Sequence, residues 1–402
     1  MNSSSPLAPR HFPVFDALRG YAILGVLVVH SALPYGPLLN EKHAELAKCL
    51  SYGRFGVQLF YMVSACTLFW SMASRTSVDA RPLGAFFLRR FFRIAPLFWI
   101  GACAYLWESG LSPRFNAPDG LGFLQIAGTF IFAHGVHPAS INALVPGGWS
   151  IAVEMPFYLL VPLAFAYVKN LRGALRFFVF TFVLSQIANA VCEHFAGPHF
   201  TGNRQYLLTQ FVELWLPNQL PIFGLGFVLY FLVRDHLRNP VLNKPQLSTG
   251  SKPDYVLLWT VLIYGGWSFF HYWTVLLPTI EAAGFLFLLF AWMLVWWPIK
   301  LLVNPVIEHI GKISYSIYIW HFFVLHLMIK YLVPVNTFRS SPVRYLVLLG
   351  AMVVAMTLVG TVSYFLIEKP MITVGKMVIN RLRWGPVRTP RTVGAALVTT
   401  GT

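Results

Sequence analysis

Apolar stretches of about twenty residues recur along the chain, separated by short polar loops that hold nearly all the Lys and Arg, and this pattern predicts membrane-crossing helices. The stretches fall at 16–34, 54–73, 87–107, 149–168 and 174–195. Five more follow at 207–233, 254–272, 275–297, 313–334 and 343–367. The expectation is an all-α integral membrane protein of about ten transmembrane helices, since helices satisfy their own backbone groups in lipid. The stretch 120–134 is short for a crossing and is expected to be a re-entrant or interfacial segment on the outer side.

Composition supports lipid as the solvent. Hydrophobic residues make up 57% of the 402 and charged residues 11%, against about 25% charged in soluble domains. The formal charge of +16 has no basic domain of its own, so it excludes a nucleic-acid role and reads as topology. With about ten crossings and the N-terminus inside, most of the 30 Lys and Arg face the cytoplasm. A crossing at 120–134 would leave only roughly a third there, against the positive-inside rule. Both termini are therefore expected in the cytoplasm, with residues 1–370 forming one transmembrane domain. Residues 371–402 form a basic, largely unstructured cytoplasmic tail that carries Arg381, Arg383, Arg388 and Arg391. Arg10 ahead of an apolar run resembles a secretory signal, but Asp16 and Arg19 interrupt it, which favours retention as a first span. Cys49, Cys66, Cys103 and Cys192 form no CxxC pair and read as packing residues.

Ionisable groups inside a span are expensive, so each is a functional candidate. Arg19 and His30 lie eleven positions apart, about 20° past three full turns and about 16 Å along one helix face. That face must line protein or water. His30 then sits near mid-membrane, where a neutral imidazole can accept a proton. Arg89, Arg90 and Arg93 cluster at the inner end of the third span, either as ordinary anchors or as a fork-like site for phosphate oxygens. Trp149, Ser150 and Glu154 open the fourth span from outside, with Glu154 at about the depth of His30. Lys312 to His321 enters the ninth span, where Tyr315 and His321 interrupt an apolar run as either packing or reactive groups.

These blocks, Phe15–Gly20 with the spacing to His30, Arg89 to Pro96, Trp149 to Tyr158, Ser314 to His321 and Ser363 to Pro370, together resemble the acyltransferase 3 family nearly end to end. That resemblance implies a membrane O-acyltransferase of the bacterial inner (plasma) membrane. The implied cosubstrate is acyl-CoA, most often acetyl-CoA, and the acceptor is a sugar hydroxyl of a glycan or glycolipid. No bound cofactor and no metal are needed. In this picture His30 is either the general base, with Glu154 setting its tautomer, or the carrier of a covalent acyl-histidine intermediate, two routes between which the sequence does not choose. Arg19, Arg89, Arg90 and Arg93 hold the donor, while Asp16, Trp149, Ser150, Tyr315 and His321 are substrate-facing or structural polar positions. Two positions depart from the family pattern: Ala65 stands where glycine usually follows the serine of the second helix, and Met155 where a second acid is common. A proton-coupled secondary transporter or flippase could use the same intramembrane His, Arg and Glu, but the chain shows no inverted repeat of the kind such carriers have.

Overall fold

The computed structural model describes residues 12–35, 44–238, 280–331 and 342–386. The span expected at 254–272, Arg10 and the tail beyond 386, with Arg388 and Arg391, lie outside the described residues. The chain is all-helical there, with no β-strand among the described residues. In order come α1 (Pro13–Ser31), α2 (Ala44–Ser51), α3 (Gly56–Arg75), α4 (Pro82–Ser109), α5 (Phe123–Phe130), α6 (Trp149–Tyr167) and α7 (Leu171–Ala196). Then follow α8 (Gln205–Leu214), α9 (Leu216–Arg238), α10 (Ile280–Trp296), α11 (Pro305–Lys312), α12 (Ser314–Tyr331), α13 (Pro342–Ser363) and α14 (Lys369–Arg381).

Six stretches among the described residues are long and apolar enough to cross a membrane: Pro13–Ser31, Glu45–Arg75, Trp149–Tyr167, Leu171–His199, Gly202–Leu237 and Val343–Arg381. A seventh arises if α11 and α12, which meet at 73°, form one broken span. The count therefore stops short of ten on apolar length alone. Part of the reason is physical: α4, at 28 residues, is about 42 Å long but carries three arginines, and α10 has only 17 residues. The 120–134 segment contains α5, eight residues long and so about 12 Å, too short to span. Its exposed Phe123 and Leu124 suit the interfacial placement.

Helices in lipid gain little from hydrophobicity and pack through close contact. α9 is apolar all round and its run from Ile222 to Val233 is buried, as befits a central helix. α1 packs on α3, α11 and α12. The α1–α11 crossing depends on two glycines: a Cβ on Gly20 would stand 2.5 Å from the Ile307 carbonyl oxygen, and one on Gly311 would collide with the Asp16 carbonyl. Ala65, the departure in α3, faces Gly226 of α9, where an added Cβ would lie 2.6 Å from the Ala65 methyl. The extra methyl is thus absorbed by a glycine on the neighbouring helix. α7 and α13 turn large apolar side chains outward, including Phe180, Ile187, Leu346 and Val354.

Three features depart from the sequence reading. α11 precedes the ninth span because Asn304 caps it, its Oδ1 accepting from the amides of Val306 and Ile307, with Pro305 in the first turn. Residues 371–386, expected to be part of a loose tail, are ordered: α14 buries Gly375 and Ile379 on one face and packs on α4. The amides of Ala80 and Arg81 then donate to the carbonyls of Gly385 and Trp384. Charge concealed the i, i+4 apolar pattern that fixes this helix. Finally, Cys66 is buried, but Cys49 and Cys103 are exposed rather than packed.

Candidate active site

A cavity opens between α1, α3, α4, α6 and α12. Arg19 reaches it from α1, Arg90 and Arg93 from α4, Ser150, Glu154 and Tyr158 from α6, and Tyr315 and Tyr318 from α12. Arg90 and Arg93 are three residues apart and share a helix face. The starts of α1 and α4 and the end of α3 lie at one end of the bundle, where Phe12 of the α1 cap meets Trp70. The arginine-lined cavity belongs to that half.

The arginines divide into two kinds. Arg19 is held: its Nη1 donates to Asp16 Oδ1 at 3.0 Å and its Nη2 to Thr67 Oγ1 at 3.0 Å. Arg89 is also held, donating from Nη2 to Asp79 Oδ2 at 2.7 Å, and it does not line the cavity. Arg89 stands one turn before Arg93, about 6 Å nearer the helix start, at the level of the buried Asp79. It therefore anchors the α3–α4 loop, whereas the sequence reading places it with Arg90 and Arg93 at the donor. Arg90 and Arg93 make no hydrogen bond and no ion pair among the described residues; Arg90 rests over the rings of Phe86 and Tyr158 at 5.9 and 6.0 Å. Two guanidinium groups with unused donors in a cavity wall offer the fork geometry that suits phosphate or carboxylate oxygens.

Glu154 faces this cluster and not His30. Ser64 Oγ and Tyr158 OH donate to its Oε1 at 2.9 and 2.6 Å, leaving Oε2 without a partner among the described residues. The expected Glu154–His30 pairing is absent because equal depth does not set equal azimuth: Glu154 points between α3 and α4. His30 instead meets His321 of α12, Nδ1 to Nε2 at 3.1 Å, with the rings stacked at 4.9 Å. Neither histidine lines the cavity. Tyr318 stands between the two sites, its hydroxyl donating to the Gly147 carbonyl at 2.8 Å and its ring 5.4 Å from that of His321.

The remaining expected positions hold the frame. Asp16 pairs with Arg19. Ser150 Oγ donates to the Gly147 carbonyl at 3.2 Å, and the Ser150 carbonyl accepts from Tyr61 at 3.2 Å. Trp149 packs edge-on against Tyr61 outside the cavity lining, and Tyr315 donates to the Ile94 carbonyl at 2.7 Å.

A family model for an acyltransferase domain matches residues 12–361, from the cap of α1 to nearly the end of α13. The chain belongs to this acyltransferase family. The acyltransferase is 24% identical over 413 residues to a Staphylococcus aureus (strain COL) protein assigned as an O-acetyltransferase, covering 97% of this chain and 62% of the relative. It is 25% identical over 391 residues to O-acetyltransferase OatA of Staphylococcus aureus (strain NCTC 8325), covering 90% of this chain and 57% of that one. The acyltransferase thus spans about three-fifths of the length of these relatives. No solved structure matches it.

Sequence reading missed several groups in the cavity wall or close to its arginines. Glu368 is buried on a five-residue π-helical turn, Tyr364–Glu368, and accepts from Ser316 Oγ at 3.0 Å. Such turns often mark functional positions, and this carboxylate lies in the electrostatic range of Arg93. It falls within the Ser363 to Pro370 block, at a span end where an acid is ordinarily a surface residue. Ser64 and Tyr318 carry no signal along their own helices, because the groups they meet, Glu154 and the Gly147 carbonyl, lie on other segments.

Proposed function

We propose that this acyltransferase is a membrane O-acetyltransferase that moves acetyl from cytoplasmic acetyl-CoA to a sugar hydroxyl of a cell-envelope or exported glycan, with His30 as general base. The observation that carries this reading is the pair Arg90 and Arg93, two guanidinium groups with no hydrogen bond or ion pair among the described residues, in the wall of a cavity also lined by Tyr318, whose ring lies 5.4 Å from that of His321, the partner of His30. Their unused donors suit the phosphates of a coenzyme A head. The names of the S. aureus relatives support an O-acetyl product. In the topology that goes with this proposal, about ten helices cross a bacterial plasma membrane, both termini are cytoplasmic, and the arginine half of the bundle is the inner half.

In the proposed reaction His30 takes the proton of the acceptor hydroxyl as its oxygen attacks the thioester carbonyl. The C–S bond of the tetrahedral intermediate breaks, and the coenzyme A thiolate leaves with the proton that His30 held. Arg19, fixed by Asp16 and Thr67, lines the donor path. Glu154 offsets part of the arginine charge through its open Oε2 and does not orient the imidazole. Mass spectrometry of surface glycans with and without the gene tests the reading. It predicts an acetyl increment on specific sugars that depends on the gene, and identical glycans in both strains would contradict it.

A further inference from the structure

The His30–His321 contact has a definite proton order that follows from its neighbours. His321 Nδ1 lies 2.6 Å from the carbonyl oxygen of Tyr318. A carbonyl can only accept, so His321 Nδ1 carries a proton. A neutral imidazole then has a lone pair on Nε2, and that atom can only accept from His30 Nδ1, 3.1 Å away. His30 is therefore protonated at Nδ1, and its Nε2, which has no partner among the described residues, holds the basic lone pair.

α12 is built to keep His321 in this pose. His321 is fully buried. The hydroxyl of Tyr105, from α4, donates to the Ile319 carbonyl at 3.0 Å and accepts from the Phe323 amide at 3.0 Å. It thus occupies the ladder position between residues four apart, a wedge of the kind that locally reshapes a helix. Phe322 closes the pair from the side, with ring centroids 4.3 Å from both histidines.

We propose that His321 is a positioning residue that fixes the Nδ1–H tautomer of His30, so that His30 Nε2 is the atom that removes the acceptor proton. This rests on His30 acting as the base. In the step, the hydroxyl proton moves to Nε2 while Nδ1–H stays bonded to His321, whose neutral ring stabilises the imidazolium without taking a proton. Return of the Nε2 proton to the leaving thiolate restores the starting tautomer.

The test uses the full chain in lipid nanodiscs with ¹⁵N-labelled histidine, the His30 ring signals being identified by their loss in His30→Ala. Wild-type His30 is expected to be protonated at Nδ1 and bare at Nε2. His321→Leu is expected to shift His30 to the Nε2–H tautomer and lower kcat for acetyl transfer from acetyl-CoA by about 100-fold or more, as loss of the working tautomer does in other imidazole bases, with KM for acetyl-CoA unchanged. His321→Gln, whose Oε1 can accept in the same place, is expected to restore the tautomer and most of the rate. A wild-type His30 protonated at Nε2 overturns the proposal without any variant, as does a His321→Leu protein with unchanged tautomer and kcat while His30→Ala is inactive. Full transfer by His30→Ala instead removes the base reading, and the tautomer measurement then still decides whether His321 sets the ring.

Discussion

Arg90→Ala separates a ligand-binding guanidinium from a structural one. Arg90 makes no hydrogen bond or ion pair among the described residues and rests over the rings of Phe86 and Tyr158. Its removal forfeits about 0.5–1 kcal/mol of cation–π contact, a fall in Tm of no more than about 4 °C. Arg19→Ala, by contrast, strips a largely buried ion pair from Asp16 at 3.0 Å, a loss of about 3–5 kcal/mol. Toward the donor the order reverses. A charge-assisted bond to phosphate is worth about 1.5–3 kcal/mol, so Arg90→Ala should weaken coenzyme A binding by roughly 10- to 100-fold. Isothermal titration calorimetry of detergent-solubilised full-length protein with coenzyme A gives the Kd, and intrinsic fluorescence on heating gives Tm. A Kd within twofold of wild type, or a Tm that falls as far as in Arg19→Ala, would refute the assignment of Arg90 to the donor.

Arg89→Ala should do the opposite of Arg90→Ala, lowering Tm because Asp79 loses its 2.7 Å partner in a buried site while leaving the coenzyme A Kd within about twofold. Gly311→Ala should lower Tm by an amount equivalent to about 1–3 kcal/mol, because its methyl meets the Asp16 carbonyl; an unchanged Tm would mean that α1 and α11 are not held this close. A reporter fused after Thr402 should read cytoplasmic and one inserted near Asn116 should read external, with the reverse result overturning the orientation of the arginine half.

What the sequence made legible follows from what one helix can encode. The Arg19–His30 spacing, the Arg90–Arg93 face and the depth of Glu154 are properties of single helices, and each residue stands in or beside the site. Partner choice is not such a property. His30 pairs with a residue 291 positions away, and the Glu154 carboxylate turned to Ser64 and Tyr158 because periodicity within α6 says nothing about where α1 lies around it. Arg89 carries the same charge as Arg90 and differs only in having Asp79 within reach. Likewise the order of segment 371–386 is obscured by its Lys and Arg, although Gly375 and Ile379 mark its buried face.

The central claim, acetyl transfer from a cytoplasmic thioester at His30, is tested most directly in inverted membrane vesicles given [¹³C]acetyl-CoA on their outer, formerly cytoplasmic, face. The account predicts ¹³C-acetyl ester on glycan hydroxyls with the wild-type chain and a loss of about 100-fold or more with His30→Ala at equal protein level. Undiminished labelling in His30→Ala, or labelling that never leaves coenzyme A in the wild type, would contradict it.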